Sequence, residues 1–198
     1  AGYVGGVIVD LLLSKNKYDV TVFDNLLYEN SYRKDCKFIN GDIRNKKFYK
    51  SNLNKYNVII WLAALVGDGA CAINPNLTNE INYLTLKKLC KVYNKRIIFI
   101  STCSVYGAQH GILHEKSSVN PLSHYATSKL KCEKILKNKN AIIFRLGTLF
   151  GVSDNYSRIR MDLVVNTLSA KAFFEKKMSV FGGEQFRPLL HVKDVARA

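Results

Sequence analysis

The sequence predicts an α/β fold, a doubly wound parallel sheet with helices on both faces. Three observations carry the prediction. Short apolar runs alternate along the chain with segments of helical periodicity. The runs are near-continuously apolar rather than alternating, the pattern of strands buried on both faces. Strand–helix–strand repetition in turn implies right-handed crossovers that return each strand to one sheet.

The elements follow in order. The chain opens on Ala1-Gly2-Tyr3-Val4-Gly5-Gly6 and runs directly into a helix over about Gly5–Leu13. Val20–Asp24 (VTVFD) is a short β-rich run. Val58–Ala64 (VIIWLAA), Arg96–Ser101 (RIIFIS) and Ala141–Leu146 (AIIFRL) are the buried-strand candidates. Helices are expected over about Pro75–Tyr93 and Leu122–Leu136. From about Gly151 the rhythm loosens, with a helix near Asp162–Lys171 and short strands at Ser179–Phe181 and Leu189–His191. Asp194–Ala198 reads as the first turn of another helix. No strand precedes the first glycines, so the sequence reads as an internal fragment lacking its first strand and most of a C-terminal domain. Residues 1–150 form the expected first region and 151–198 the start of a second.

Composition narrows the class. The 198 residues are 47% hydrophobic and 23% charged with three prolines, which excludes a disordered chain. No apolar run approaches the ~18 residues that span a bilayer. The five cysteines (Cys36, Cys71, Cys90, Cys103, Cys132) are scattered, with no CxxC pair, and read as free thiols of a reducing cytoplasm. The net charge of +15 raises the question of nucleic acid. The basic residues, however, are spread from Lys15 to Arg197, and with 18 asparagines they read as compositional bias on solvated surfaces. Neither a nucleic-acid nor a membrane partner is expected.

Two constellations carry chemistry. Gly2-Tyr3-Val4-Gly5 at the start of a helix has the form of a turn whose missing side chains admit a pyrophosphate to backbone N–H groups. Asp24 lies 19 residues after Gly5, at the end of the next strand, where a carboxylate accepts from both ribose hydroxyls and repels a 2′-phosphate. Further on, Tyr125 and Lys129 stand four apart in a helix (YATSK) and share one face. Tyrosine, with a pKa near ~10, is a poor base until a neighbouring cation stabilises its phenolate. The pair follows Ser101-Thr102-Cys103-Ser104-Val105-Tyr106-Gly107, a hydroxyl-rich stretch at the C-terminal end of a strand, where open α/β sheets bind ligands.

With AGYVGG, VTVFDNL, GDIR, LAALVG, STCSVYG, YATSK, RLGTLFG and RPLLHVKDVARA in this order, the sequence resembles the NAD-dependent epimerase/dehydratase family. This is a nucleotide-sugar-modifying branch of the extended short-chain dehydrogenase/reductase superfamily, with UDP-glucose 4-epimerase among its members. The resemblance implies a Rossmann-type doubly wound sheet, with residues 1–150 as the NAD-binding domain and 151–198 opening the substrate-binding region. It implies NAD as cofactor and a nucleotide-diphosphate sugar as substrate. Gly2, Tyr3, Val4 and Gly5 would line the pyrophosphate, Asp24 and Asn25 the adenosine ribose, Asp42 and Ile43 the adenine, and Leu62, Ala63 and Ala64 the dinucleotide backbone. Thr102, Tyr125 and Lys129 would be the catalytic set, with Tyr125 and Lys129 also touching the cofactor and Thr102 the sugar. Arg187 and Asn166 would bind substrate, Arg187 at the diphosphate. A homodimer is expected only by analogy.

Two departures refine the expectation. Relatives that act as 4,6-dehydratases carry an Asp-Glu pair after the catalytic Thr, whereas Cys103 and Ser104 stand here. Isomerase is therefore expected over 4,6-dehydratase. Many UDP-galactose 4-epimerases have Asn where this chain has Thr148. The sequence thus predicts an NAD-dependent nucleotide-sugar epimerase, with inversion at C4 preferred. A decarboxylase, reductase or dehydrogenase of the same family is the near alternative, and a non-catalytic RNA-binding Rossmann module the distant one. His110, His114, His124 and His191 lack metal-ligand spacing and read as structural or solvated. Cys103 and Trp61 read as packing residues.

Overall fold

A computed structural model describes residues 1–198. Helix α1 (Tyr3–Ser14) leads into strands β1 (Thr21–Asp24) and β2 (Lys37–Asn40). Next come α2 (Lys46–Lys50), β3 (Val58–Trp61), α3 (Asp68–Ile73) and α4 (Pro75–Asn79). A π-helical turn (Glu80–Leu84) passes into α5 (Thr85–Val92), followed by β4 (Arg96–Thr102) and a 3-10 turn (Cys103–Tyr106). Helix α6 (His124–Leu136) and β5 (Ala141–Leu146) complete the middle of the chain. Then follow β6 (Thr148–Phe150), α7 (Val164–Phe174), β7 (Leu189–His191) and α8 (Val192–Arg197).

The chain forms two compact units, residues 41–145 and residues 1–40 with 146–198. In the first, β3, β4 and β5 form a sheet in that order, with β3 and β4 parallel and Ile59 opposite Ile97. Trp61, Leu86, Leu89, Tyr93, Ile97, Phe99, Cys132 and Leu136 make its buried core. Helix α5 shows why it docks there: Leu86, Leu89 and Cys90 are buried while Lys87, Lys88 and Lys91 stay in water, a single apolar stripe at helical spacing. Trp61 packs in the core, as its place in VIIWLAA predicts.

In the other unit β1 pairs with β2 and β6 with β7, both parallel, and Tyr3, Val7 and Val192 form a small core between α1 and α8. The parallel pairing agrees with the predicted α/β class. Two expectations need correcting. Ser179–Phe181 is not a strand: it meets no partner ladder, Val180 and Phe181 are exposed, and the chain turns at Gly182, where the Gln185 N–H donates to the Gly182 carbonyl. The strand read as Val58–Ala64 ends at Trp61, leaving Leu62–Ala64 as irregular, half-buried backbone. No helix is long and apolar enough to cross a membrane. None of the five cysteines is in a disulfide.

Candidate active site

The unit of residues 41–145 holds the three predicted catalytic residues. Ser123 caps α6 by accepting from the Ala126 N–H at 3.1 Å, a cap worth ~1 kcal/mol. That start turns Ala126, Ser128, Lys129, Cys132, Glu133 and Leu136 inward. Lys129 is only 4% exposed, and its Nζ donates to the Ile100 carbonyl on β4 at 2.8 Å. The ammonium also lies 4.8 Å from the centre of the Phe99 ring and 5.8 Å from that of Tyr125. Burial pulls its pKa down to about 8. The cost of burying this cation falls when an anion forms beside it, and a Tyr125 phenolate is such an anion.

Thr102 ends β4 and is buried. Its Oγ1 accepts from the Ser104 N–H at 3.1 Å and lies 3.1 Å from Ser104 Oγ, so the hydroxyl caps the 3-10 turn. Gly107 closes that turn with φ of +71°, where a side chain would be strained and would collide with the Asn120 carbonyl. The structure therefore gathers Tyr125 and Lys129 on one face of α6 and ties that helix to β4 two residues before Thr102.

The adenine candidates occupy the same unit. The Asp42 carboxylate accepts from the Arg44 backbone N–H at 2.7 Å and from its Nη2 at 2.6 Å. The bonded guanidinium holds that carboxyl below the usual carboxylate range. The Ile43 carbonyl accepts from Tyr49 Oη at 2.7 Å. Leu62, Ala63 and Ala64 lead to Leu65, whose N–H and carbonyl are both engaged by the Asn82 side chain, at 2.8 and 2.9 Å. Asn82 is 2% exposed, and its amide also donates to Ser128 Oγ.

The other unit carries the remaining candidates. Helix α1, with Gly2 at its N-cap, has no side-chain cap and no acid in its own first turn, so no side chain of the helix caps its leading N–H groups. Open space surrounds the direction a Gly2 Cβ would take, while a Gly6 Cβ would meet Asp154 and Ser157 at 2.6 Å. Asp24 ends β1; its Oδ1 accepts from the Leu26 N–H at 2.7 Å, and Oδ2 from the Ala1 amine at 2.9 Å. Asn25 is exposed beside it. Asn166 spends its amide on backbone, accepting from the Gly151 N–H and donating to the carbonyls of Gly151 and Arg160. Arg187 is exposed, with Nη2 on Gln185 Oε1 at 2.9 Å. His191 is structural, its Nδ1 accepting from the Lys193 N–H at the start of α8.

Sequence reasoning missed Asn82, Glu133 and Arg145. Glu133 is buried, accepts from Ser101 Oγ at 2.5 Å, and takes Arg145 Nη2 at 2.6 Å. One signal was present: an acid on the inward stripe of α6, four residues after Lys129, calls for a cationic partner. Which cation supplies it is a long-range fact that spacing does not contain.

A profile described as the NAD dependent epimerase/dehydratase family matches residues 1–198. The chain is 30% identical over 224 residues to a UDP-glucuronate 4-epimerase of Thermodesulfobacterium geofontis, covering 100% of this chain and 67% of that one. Among solved structures it resembles the UDP-glucuronic acid 4-epimerase of Bacillus cereus, in complex with UDP-glucuronic acid and NAD, with a TM-score of 0.82 at 24% identity over 99% of this chain and 68% of that one. The dTDP-glucose 4,6-dehydratase DesIV of Streptomyces venezuelae gives 0.80 at 22%, over 100% and 67%.

Proposed function

The chain belongs to the NAD-dependent epimerase/dehydratase family, and within it we propose a nucleotide-sugar epimerase, with inversion at C4 the favoured reaction. One observation carries the choice of epimerase. The two residues that follow Thr102 in the 3-10 turn carry the Cys103 thiol and the Ser104 hydroxyl, and the latter is already bonded to Thr102. Neither is a carboxyl acid or base able to expel water from a sugar. Reversible oxidation, with the dinucleotide as hydride acceptor, would ask of the protein only the proton handling of the Thr102, Tyr125 and Lys129 set.

The residues present fit the family's dinucleotide. The uncapped, acid-free start of α1 suits a pyrophosphate, and Asp24 offers a carboxylate at a strand end. In this reading Gly2, Tyr3, Val4 and Gly5 hold the pyrophosphate, Asp24 and Asn25 the ribose, and Asp42 and Ile43 the adenine. Leu62, Ala63 and Ala64 follow the dinucleotide backbone. Bound NAD⁺ supplies a reversible hydride acceptor, so that the sugar passes through a keto form. The protein's own part is proton handling: Tyr125 takes the hydroxyl proton, Thr102 hydrogen-bonds the same oxygen, and Lys129 stabilises the phenolate. Arg187 grips the diphosphate as a charge-assisted clamp. Asn166 contributes by holding the Gly151 and Arg160 backbone near the substrate. Five cysteines outside any disulfide support work in a reducing cytoplasm.

The test is incubation with UDP-, GDP-, CDP- and dTDP-sugars and trace NAD⁺, following product mass and absorbance at 340 nm. The expected product is an isomer of unchanged mass, with no NADH accumulating. Stoichiometric NADH indicates a dehydrogenase, loss of carbon dioxide a decarboxylase, and loss of water a dehydratase. Any of the three overturns the epimerase.

A further inference from the structure

The pair formed by Glu133 and Arg145 sits at a junction that the proposed chemistry does not itself use. Glu133 lies one helical turn beyond Lys129 on the inward stripe of α6. Its Oε1 accepts from Ser101 Oγ at 2.5 Å, and Ser101 is the residue before Thr102. Arg145, on β5, donates from Nε to both carboxylate oxygens at 3.1 Å and from Nη2 to Oε2 at 2.6 Å. Its Nη1 reaches the Glu115 carbonyl at 3.2 Å, and its guanidinium carbon lies 4.9 Å from the centre of the Tyr106 ring. One guanidinium thus meets α6, the 3-10 turn that Thr102 caps, and the loop leading towards Ser123.

Helix α6 is consequently tied to β4 at two successive strand residues. Lys129 holds the Ile100 carbonyl and Glu133 holds the Ser101 hydroxyl. Two anchors four residues apart on the helix leave it no freedom to slip by one residue, a change that would turn Tyr125 by about 100° around the axis. Cohesion alone does not call for ions here. The neighbouring core of Ile97, Cys132 and Leu136 is apolar, and a buried ion pair is commonly no more stabilising than apolar groups of its size. What the pair adds is direction.

We propose that Glu133 and Arg145 are positioning residues that fix the register of α6 against the end of β4 and thereby aim Tyr125 and Lys129 at the oxygen Thr102 holds. The inference rests on the epimerase reading above. Two mild variants test it, Glu133→Gln, which keeps the shape but replaces one acceptor oxygen with an amide donor, and Arg145→Lys, which keeps charge but loses the fork. With the active protein, each lowers kcat on the order of 10²-fold while KM for the sugar and Kd for the dinucleotide stay within about threefold, because a 1 Å misplacement acts on the reacting geometry rather than on binding. The double variant is no worse than the poorer single one. A second readout is independent of turnover: amide hydrogen exchange over residues 124–129 speeds up in both variants, while exchange in β3 and β4 is unchanged.

Unchanged kcat and exchange in folded variants overturn the proposal. So does a kcat loss that merely tracks the unfolded fraction, or one that comes with an equal rise in KM. If the unaltered protein turns over no nucleotide sugar, the epimerase reading fails, and the exchange measurement alone decides whether the pair holds the register.

Discussion

Each compact unit buries one lysine, and the two are compensated in opposite ways. Lys34 meets carboxylates: its Nζ pairs with Asp10 at 2.5 Å and with Asp154, and also donates to the Gly6 carbonyl at 3.0 Å. Burial works against the Asp154 carboxylate, but its bonds to Lys34 and Ser157 more than offset this and leave its pKa lowered. Lys129 has a carbonyl, two aromatic rings and no carboxylate ion pair. A lysine whose charge is already matched holds structure together. One buried without a matching anion is set to respond when an anion forms nearby, as the general-base role proposed for Tyr125 requires.

Substitutions can break this contrast, and the largest effect belongs to Lys129. Lys129→Met lowers kcat by about 10²–10⁴-fold, the usual worth of acid–base catalysis, while leaving the fold intact because no partner charge is stranded. Steady-state kinetics alongside thermal melting checks both halves. Lys34→Met does the reverse. It strands Asp154, whose side chain is 1% exposed, and costs roughly 3 kcal/mol of stability in denaturant titration, with activity per folded molecule retained.

A pH series sharpens the same comparison. With a folded pKa of about 8 against an ordinary lysine value of 10.5, Lys129 binds fewer protons in the folded state than in the unfolded state between those values. Its burial penalty is therefore full below pH 8 and is relieved as pH rises towards 10.5, by up to about 3 kcal/mol. The stability of the unaltered protein minus that of Lys129→Met should climb across this window. A flat difference would mean that Lys129 is not desolvated. The smallest effect is expected at exposed Arg187: Arg187→Ala raises KM for the nucleotide sugar about tenfold, with kcat and melting temperature little changed, consistent with one lost charge-assisted contact.

The two lysines also mark what a sequence makes legible. Tyr125 and Lys129 stand out because one helix carries both at fixed spacing, and β4 and α6 because their apolar patterns are strong. The partners of Lys34 are invisible in that way, since Asp10 and Asp154 lie 24 and 120 positions away along the chain. Arg145 and Glu133 were hidden for the same reason. Strand β2 went unread because Lys37 and Asn40 flank only two apolar residues, and β6 because three residues become a strand only through pairing with β7. Ser179–Phe181 was misread the other way: its apolar residues have β propensity but no ladder to join. Asn166 was named as a substrate-binding candidate through the family resemblance alone, and its commitment to the Gly151 and Arg160 backbone follows only from the turn it sits against.

The central claim is reversible oxidation without elimination, and the most direct measurement is turnover of the accepted nucleotide sugar in D₂O, read by mass spectrometry and proton NMR. The account predicts an epimer with no deuterium on carbon, because the hydrogen that leaves the sugar carbon returns to it. A product lighter by one water, or one carrying carbon-bound deuterium, would contradict it.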